Sequence, residues 1–546
     1  MPAKIHISAD GLFCDKDGNE IQLRGVNLDP SVKIPAKPFL STHAPIENDT
    51  FFEDADKVSF INHPLVLDDI EQHIIRLKSL GYNTIRLPFT WESLEHAGPG
   101  QYDFDYMDYI VEVLTRINSV QQGMYIYLDP HQDVWSRFSG GSGAPLWTLY
   151  CAGFQPANFL ATDAAILHNY YIDPKTGREV GKDEESYPKM VWPTNYFKLA
   201  CQTMFTLFFG GKQYAPKCTI NGENIQDYLQ GRFNDAIMTL CARIKEKAPE
   251  LFESNCIIGL ESMNEPNCGY IGETNLDVIP KERNLKLGKT PTAFQSFMLG
   301  EGIECTIDQY KRTFFGFSKG KPCTINPKGK KAWLSAEERD AIDAKHLHLG
   351  DNWNNEDFSI WSPDDKPLYH DTRAKTPTPE PSPASTVASV STSTSKSGSS
   401  QPPSFIKPDN HLDLDSPSCT LKSDLSGFRA LDAIMRPFPI KIHGRFEFAE
   451  FNLCNKSYLL KLVGKTTPEQ ITVPTYIFIP RHHFTPSRLS IRSSSGHYTY
   501  NTDYQVLEWF HEPGHQFIEI CAKSKSRPNT PGSDTSNDLP AECVIS

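Results

Sequence analysis

Cys256-Ile257-Ile258-Gly259-Leu260-Glu261-Ser262-Met263-Asn264-Glu265-Pro266 is the stretch on which the fold reading turns. Its apolar half has the length and composition of a buried strand. It then presents an amide and a carboxylate side by side, and a proline stops it. In a parallel barrel the C-terminal strand ends build the active-site face, so polar residues there are placed for chemistry rather than stability. Alone, Asn264-Glu265-Pro266 reads equally well as an ordinary strand-to-loop turn. Three earlier apolar segments end in the same manner. Residues 21–27 read as a strand finishing in Arg24-Gly25-Val26-Asn27, and Thr84-Ile85-Arg86-Leu87-Pro88 is the second. Met124-Tyr125-Ile126-Tyr127-Leu128 is the third, running into Asp129-Pro130-His131-Gln132-Asp133.

Helical patterns separate these strands. Ile70, Ile74, Leu77 and Leu80 share one face, with Gly81 where a helix C-cap belongs. Met107, Ile110, Val111, Leu114 and Ile117 form a second apolar stripe, and Phe233, Ile237, Leu240 and Ile244 a third. Strand and helix in alternation predict an α/β fold with a parallel sheet covered by helices. Further on, residues 371–405 are a Ser/Thr/Pro-rich tract too poor in apolar residues to fold, and a short helix is expected over 428–435. Residues 446–519 carry strand-like runs between turn residues, which predicts an all-β module, a small antiparallel sandwich. The expected division is a barrel over 1–370, a disordered linker over 371–412, a last barrel helix over 413–436, the sandwich over 437–523, and a disordered tail over 524–546.

The 546 residues suffice for two domains with large cores. A formal net charge of −13, with no basic stripe, excludes a nucleic-acid binder. No apolar run reaches membrane-spanning length, and the first residues lack the hydrophobic core of a signal peptide. The expectation is an intracellular, cytoplasmic protein. Thirteen cysteines without a Cys-x-x-Cys pair fit reduced, buried thiols in that compartment.

Glycoside hydrolysis needs two carboxyl groups flanking the bond, and in a retaining enzyme they lie about 5–5.5 Å apart. Glu265 suits the acid/base role, with Asn264 beside it to hold a sugar hydroxyl. The motifs around Asn27, Arg86, Asp129-Pro130-His131-Gln132-Asp133 and Asn264-Glu265-Pro266, in this order, resemble glycoside hydrolase family 5. Within it they resemble the fungal branch of steryl-β-glucosidases and glucosylceramidases, related to endoglycoceramidases. Gly140-Gly141-Ser142-Gly143-Ala144-Pro145-Leu146-Trp147 and Gly350-Asp351-Asn352-Trp353-Asn354-Asn355-Glu356-Asp357 are similar to that branch too.

The resemblance implies a TIM barrel with a C-terminal β-sandwich, a retaining β-glucosidase reaction on steryl glucoside or glucosylceramide, and no cofactor or metal. Glu265 matches the family's acid/base, Asn264 its partner amide, and Arg86 an arginine supporting the catalytic carboxylates. Asp129 and His131 match sugar-contacting residues, and Lys33 and Trp147 match glucose contacts. Each has a bland alternative: Arg86 as a buried ion-pair partner, His131 as a turn histidine, Trp147 as packing. The implied partner is a glycolipid, with peripheral membrane contact.

One departure stands out. Eight strand–helix units need about 250 residues, yet between Pro266 and Gly350 there is no convincing apolar strand. Strands five to seven are not found, and the family's nucleophile, a glutamate ending strand seven, has no matching position. The barrel is thus expected to be incomplete, with a deletion near residue 345, and the chain inactive. Leu299-Gly300-Glu301-Gly302 follows Glu265 too soon to end strand seven. Gly288-Lys289-Thr290 lacks the earlier glycine of a phosphate loop. His511-Glu512-Pro513-Gly514-His515 matches H-E-x-x-H, but Pro-Gly breaks the helix that motif requires. The rival readings are a catalytically dead glycolipid- or membrane-surface-binding protein and an endo-glucanase-type polysaccharide hydrolase. The missing secretion signal counts against the glucanase.

Overall fold

The computed structural model describes residues 4–38, 51–120, 124–167, 188–254, 256–281, 283–314, 316–350, 353–354, 430–466 and 473–522. The expected linker, the tail and most of the motif after Gly350 lie outside the described residues.

Four strands form the parallel sheet: Gly25–Asn27, Thr84–Phe89, Tyr125–Pro130 and Ile257–Leu260, adjacent in that order. Ile85, Leu87 and Phe89 alternate with Thr84, Arg86 and Pro88, so one face of the second strand is apolar throughout. That face meets Met107, Ile110, Leu114 and Ile117 of helix Phe104–Ser119, with Leu229, Phe233, Leu240 and Ile244 of helix Ile225–Lys247 in the same core. Asp103 caps the first of these helices and Asn224 the second, each side chain accepting a backbone N–H. Helix Ile70–Ser79 ends as the sequence predicts, with Gly81 left-handed at φ +87°.

After Leu260 the alternation stops. Among the described residues up to 350, the strands are short antiparallel pieces. Cys305–Ile307 pairs with Cys323–Ile325 around a small core with Leu299, and Gln309–Thr313 pairs with Gly316–Lys319. None joins the parallel sheet, whose edges among the described residues are Gly25–Asn27 and Ile257–Leu260. Leu260 on the outer edge is 46% exposed.

The C-terminal module is an antiparallel sandwich, and strands from residues 5–21, expected within the barrel, join it. Its four-stranded sheet runs Gly444–Asn452, Ser457–Gly464, Gly514–Ala522, Leu489–Ser493. The seven-stranded sheet begins with Ile5–Ile7, Phe13–Asp15 and Glu20–Ile21, continues through Phe438–Ile442, Thr475–Phe478 and Val506–Phe510, and ends at His497–Asn501. The expected single strand over 21–27 therefore splits. Its start joins the sandwich and its end opens the parallel sheet. Both inner faces supply the core, including Leu460, Leu462, Ile477, Trp509, Ile518 and Ile520. The seam between the two bodies is close. Leu80, Met435 and Phe478 cluster there, and Gln505 Nε2 donates to the Ser79 carbonyl at 3.1 Å.

Candidate active site at the strand ends

Arg86 projects from the second strand on the side opposite its apolar residues. Its guanidinium takes Glu261 in a two-pronged grip, Nε to Oε1 at 3.0 Å and Nη2 to Oε2 at 2.5 Å, and also donates to Asn264 Oδ1 at 3.0 Å. Asp129 Oδ1 lies 3.1 Å from the same nitrogen, close enough for charge attraction although not aligned as a hydrogen bond. Second, third and fourth strands are thus tied by one arginine.

A second chain of contacts runs along the loop after the third strand. His131 Nδ1 meets Asp129 Oδ2 at 2.9 Å, its Nε2 meets Asp133 Oδ2 at 3.2 Å, and Lys33 Nζ donates to that oxygen at 2.5 Å. Burial works against charge on the imidazole, yet hydrogen bonds to the two aspartates hold its pKa above the ordinary histidine value. Burial would likewise lift Asp133, but His131 and Lys33 keep it below the usual carboxylate range. Burial would raise Glu261 also, and the Arg86 hydrogen bonds and charge bring it down. Asp129 goes the other way: fully buried, it is pushed up despite its cationic neighbours.

The loops after the third and fourth strands latch reciprocally. Asn264 Nδ2 donates to the Gln132 carbonyl at 2.9 Å, and Gln132 Nε2 donates to the carbonyls of Asn264 at 2.5 Å and Glu265 at 2.9 Å. That latch holds Glu265 at φ +38°, a backbone region a glutamate seldom adopts. The sequence placed Glu265 at the strand end itself. The strand stops at Leu260, and Glu265 sits on the loop beyond it, its side chain exposed. Its carboxylate Oε2 accepts from the Tyr196 hydroxyl at 3.5 Å. Burial, with Asp133 and Glu265 nearby, raises the Tyr196 pKa and keeps that hydroxyl a donor.

Arg86, Asn264, Asp129, His131 and Lys33 are therefore gathered by direct bonds, and Glu265 adjoins them through its backbone. Asp129 is oriented toward His131 and Arg86 rather than outward, so it supports the site instead of lining it. Trp147 is not brought in. It is 2% exposed, its Nε1 donates to the Glu95 carbonyl at 2.8 Å, and its ring meets Trp91 edge-on at 5.4 Å. Packing is its role here. Sequence reasoning gave no role to Glu261, Gln132, Asp133 or Tyr196. Glu261 was findable as the first polar residue after the fourth strand; Tyr196, deep in an irregular excursion, carried no signal. His511 and His515 part company across the turn, one on Thr475 at 2.8 Å and the other on Glu447 at 3.0 Å. Glu301, capping helix Ala293–Gly300, reaches Lys331 at 3.6 Å rather than the strand ends.

Comparison with known proteins adds identity to this geometry. Residues 14–170 match the Cellulase (glycosyl hydrolase family 5) model and residues 436–520 the Glycoside hydrolase family 5 C-terminal domain. The chain is 71% identical over 764 positions to an ergosteryl-beta-glucosidase of Saccharomyces cerevisiae, an alignment covering 100% of both chains. It is 45% identical over 381 residues to a glucosylceramidase of Aspergillus fumigatus, covering 68% of this chain and 47% of that protein, so it spans less than half that relative's length. The crystal structure of Cryptococcus neoformans sterylglucosidase 1 superposes with a TM-score of 0.77 at 26% identity, covering 96% of this chain and 98% of that one. An alignment of 764 positions against a chain of 546 residues leaves at least 218 positions of the alignment with no counterpart in this chain. Both ends are covered, so those positions are internal. Seventy-one percent of 764 is about 542, nearly the number of residues present, so identity is close to complete wherever this chain has a residue. The chain belongs to glycoside hydrolase family 5.

Proposed function

We propose that this chain carries the acid/base half of a retaining β-glucosidase site for glucosylated lipids, steryl glucoside or glucosylceramide, and that as written it turns them over little or not at all. Glu265 is the proton donor to the leaving oxygen, and Asn264 holds a hydroxyl of the sugar bound beside it. Arg86, locked by Glu261, and His131, held between Asp129 and Asp133, form the polar floor, with Lys33 at its rim. No metal or organic cofactor enters this chemistry. The glycolipid reaches the site from a membrane surface; among the described residues no helix is long and apolar enough to cross a membrane.

One observation carries the proposal. The carboxylates gathered here, Asp129, Asp133, Glu261 and Glu265, all come from the third and fourth strands and the loops that follow them. Glu261 and Asp133 are bound to Arg86 and Lys33. Attack on the anomeric carbon needs a carboxylate across the sugar from the acid. That group belongs to the internal positions this chain lacks.

The test is hydrolysis of steryl glucoside and of glucosylceramide by purified protein, beside a version carrying the absent positions as the yeast relative has them. The expected result is turnover by the restored chain, abolished by Glu265→Gln, and little by the chain as written. Robust turnover by the chain as written, lost in Glu265→Gln, would contradict the reading.

A further inference from the structure

Three side chains far from the strand-end site converge where helix Leu431–Ile434 meets the loop after strand Thr475–Phe478. One ligand-type atom from each of Asp432, His482 and His483 lies within 4.8 Å of the others. His482 Nε2 and an Asp432 carboxylate oxygen are 2.5 Å apart. His483 is buried, its ring against Phe451 at 5.1 Å and against His482 at 4.7 Å. Its Nε2 is 3.2 Å from the Asp432 carbonyl, which accepts only if that nitrogen carries the proton. The lone pair is then on Nδ1.

An imidazole oriented by a backbone carbonyl through one nitrogen, with the other nitrogen free to coordinate, is how metal-bound histidines are held. Here that second nitrogen faces a cation already: Lys456 Nζ stands 3.1 Å from Nδ1. Lys456 occupies a left-handed turn position at φ +52° between two paired strands, half-buried, so its ammonium has a path back to water.

We propose that Asp432, His482 and His483 form a site for a divalent transition cation of the zinc class, which takes the place at His483 Nδ1 held by the Lys456 ammonium. Two imidazoles and one carboxylate match the N/O donor set zinc prefers, with water completing the tetrahedron. Calcium and magnesium, which want six or more oxygens, are poorly served. Coordination forms three metal–ligand bonds, breaks the His482–Asp432 contact and returns the lysine ammonium to water. The bound ion fastens the short helix ahead of the sandwich to the sandwich itself.

Titration calorimetry of the untagged full chain with Zn²⁺ at neutral pH, under reducing conditions, tests this. The expected result is one Zn²⁺ per chain, weakened roughly tenfold or more by His482→Ala and by Asp432→Asn. Both positions are exposed, so neither change threatens folding. Lys456→Met, which removes the competing cation, should tighten binding, and Ca²⁺ should give no heat. Absence of stoichiometric Zn²⁺ binding by both the parent and Lys456→Met chains would overturn the proposal. So would binding that persists unchanged in His482→Ala.

Discussion

The two sheets that share this chain are finished to different degrees. In the sandwich, strand Ser457–Gly464 is bonded on both sides, to Gly444–Asn452 and to Gly514–Ala522, and its inward residues Tyr458, Leu460 and Leu462 are sealed at 2% exposure or less. In the parallel sheet, strand Ile257–Leu260 is bonded to Tyr125–Pro130 and, among the described residues, has no partner strand on its other side. Its buried-to-exposed gradient runs along its own length, from Ile257 inward to Gly259 and Leu260 outward. The sandwich recruits residues 5–21 to extend its sheet, while the parallel sheet has four strands among the described residues. Cooperative stability therefore concentrates in the sandwich and in the helix-covered face of the parallel sheet. The site sits at the other extreme, beside a strand paired on one side only among the described residues.

The comparison can be broken most forcefully in the sandwich core. Trp509 is fully buried and its Nε1 donates to the Ser495 carbonyl at 3.1 Å. Trp509→Ala should cost about 3–5 kcal/mol, read as a lowered unfolding midpoint in denaturant. At the site, Arg86→Ala takes the guanidinium from partly exposed Glu261 and leaves fully buried Asp129 with His131 alone. Because the network is partly open to water, the expected loss is about 2–4 kcal/mol, below that of a sealed ion pair. Arg86→Lys should recover only part of it, since a single ammonium cannot span both Glu261 oxygens and Asn264.

At the seam, a Cβ on Gly81 would lie 2.5 Å from the Phe478 ring, and the backbone there is left-handed. Gly81→Ala should cost about 1–3 kcal/mol and lower the thermal midpoint of both bodies together. The smallest effect belongs to the open edge. Leu260→Ser, at a position 46% exposed, should change stability by no more than about 0.5 kcal/mol in this chain. A core-sized loss there would mean that the edge is covered.

Much of this was legible in the sequence for stated reasons. The strands holding Ile85 and Ile126 announce themselves because helices cover one face continuously, so apolar residues recur at every second position. Asn264 and Glu265 were legible because a proline stops the chain just where polar residues begin. What escaped was geometry that pairs distant segments. Nothing local in Glu20-Ile21 tells that they pair with Lys441 and Ile442 while Gly25, four residues beyond Ile21, pairs with Thr84. Trp147 misled because an aromatic near a site motif looks alike whether it stacks on a sugar or fills a core. Its partners Trp91 and Glu95 come from another element. Gln132 was quoted for its place in a motif, yet its work is to clasp a loop over a hundred residues away.

Amide hydrogen exchange of the chain, read residue by residue, tests the central contrast most directly. Every amide of Leu459, Leu460, Lys461 and Leu462 has a strand neighbour on whichever side it points. Slow exchange is expected for all of them. Along Ile257, Ile258, Gly259 and Leu260, slow exchange is expected only for amides directed at the third strand, with near-solvent rates for those directed outward. Uniform protection of all four, matching the sandwich strand, would show instead that the parallel sheet continues beyond its fourth strand.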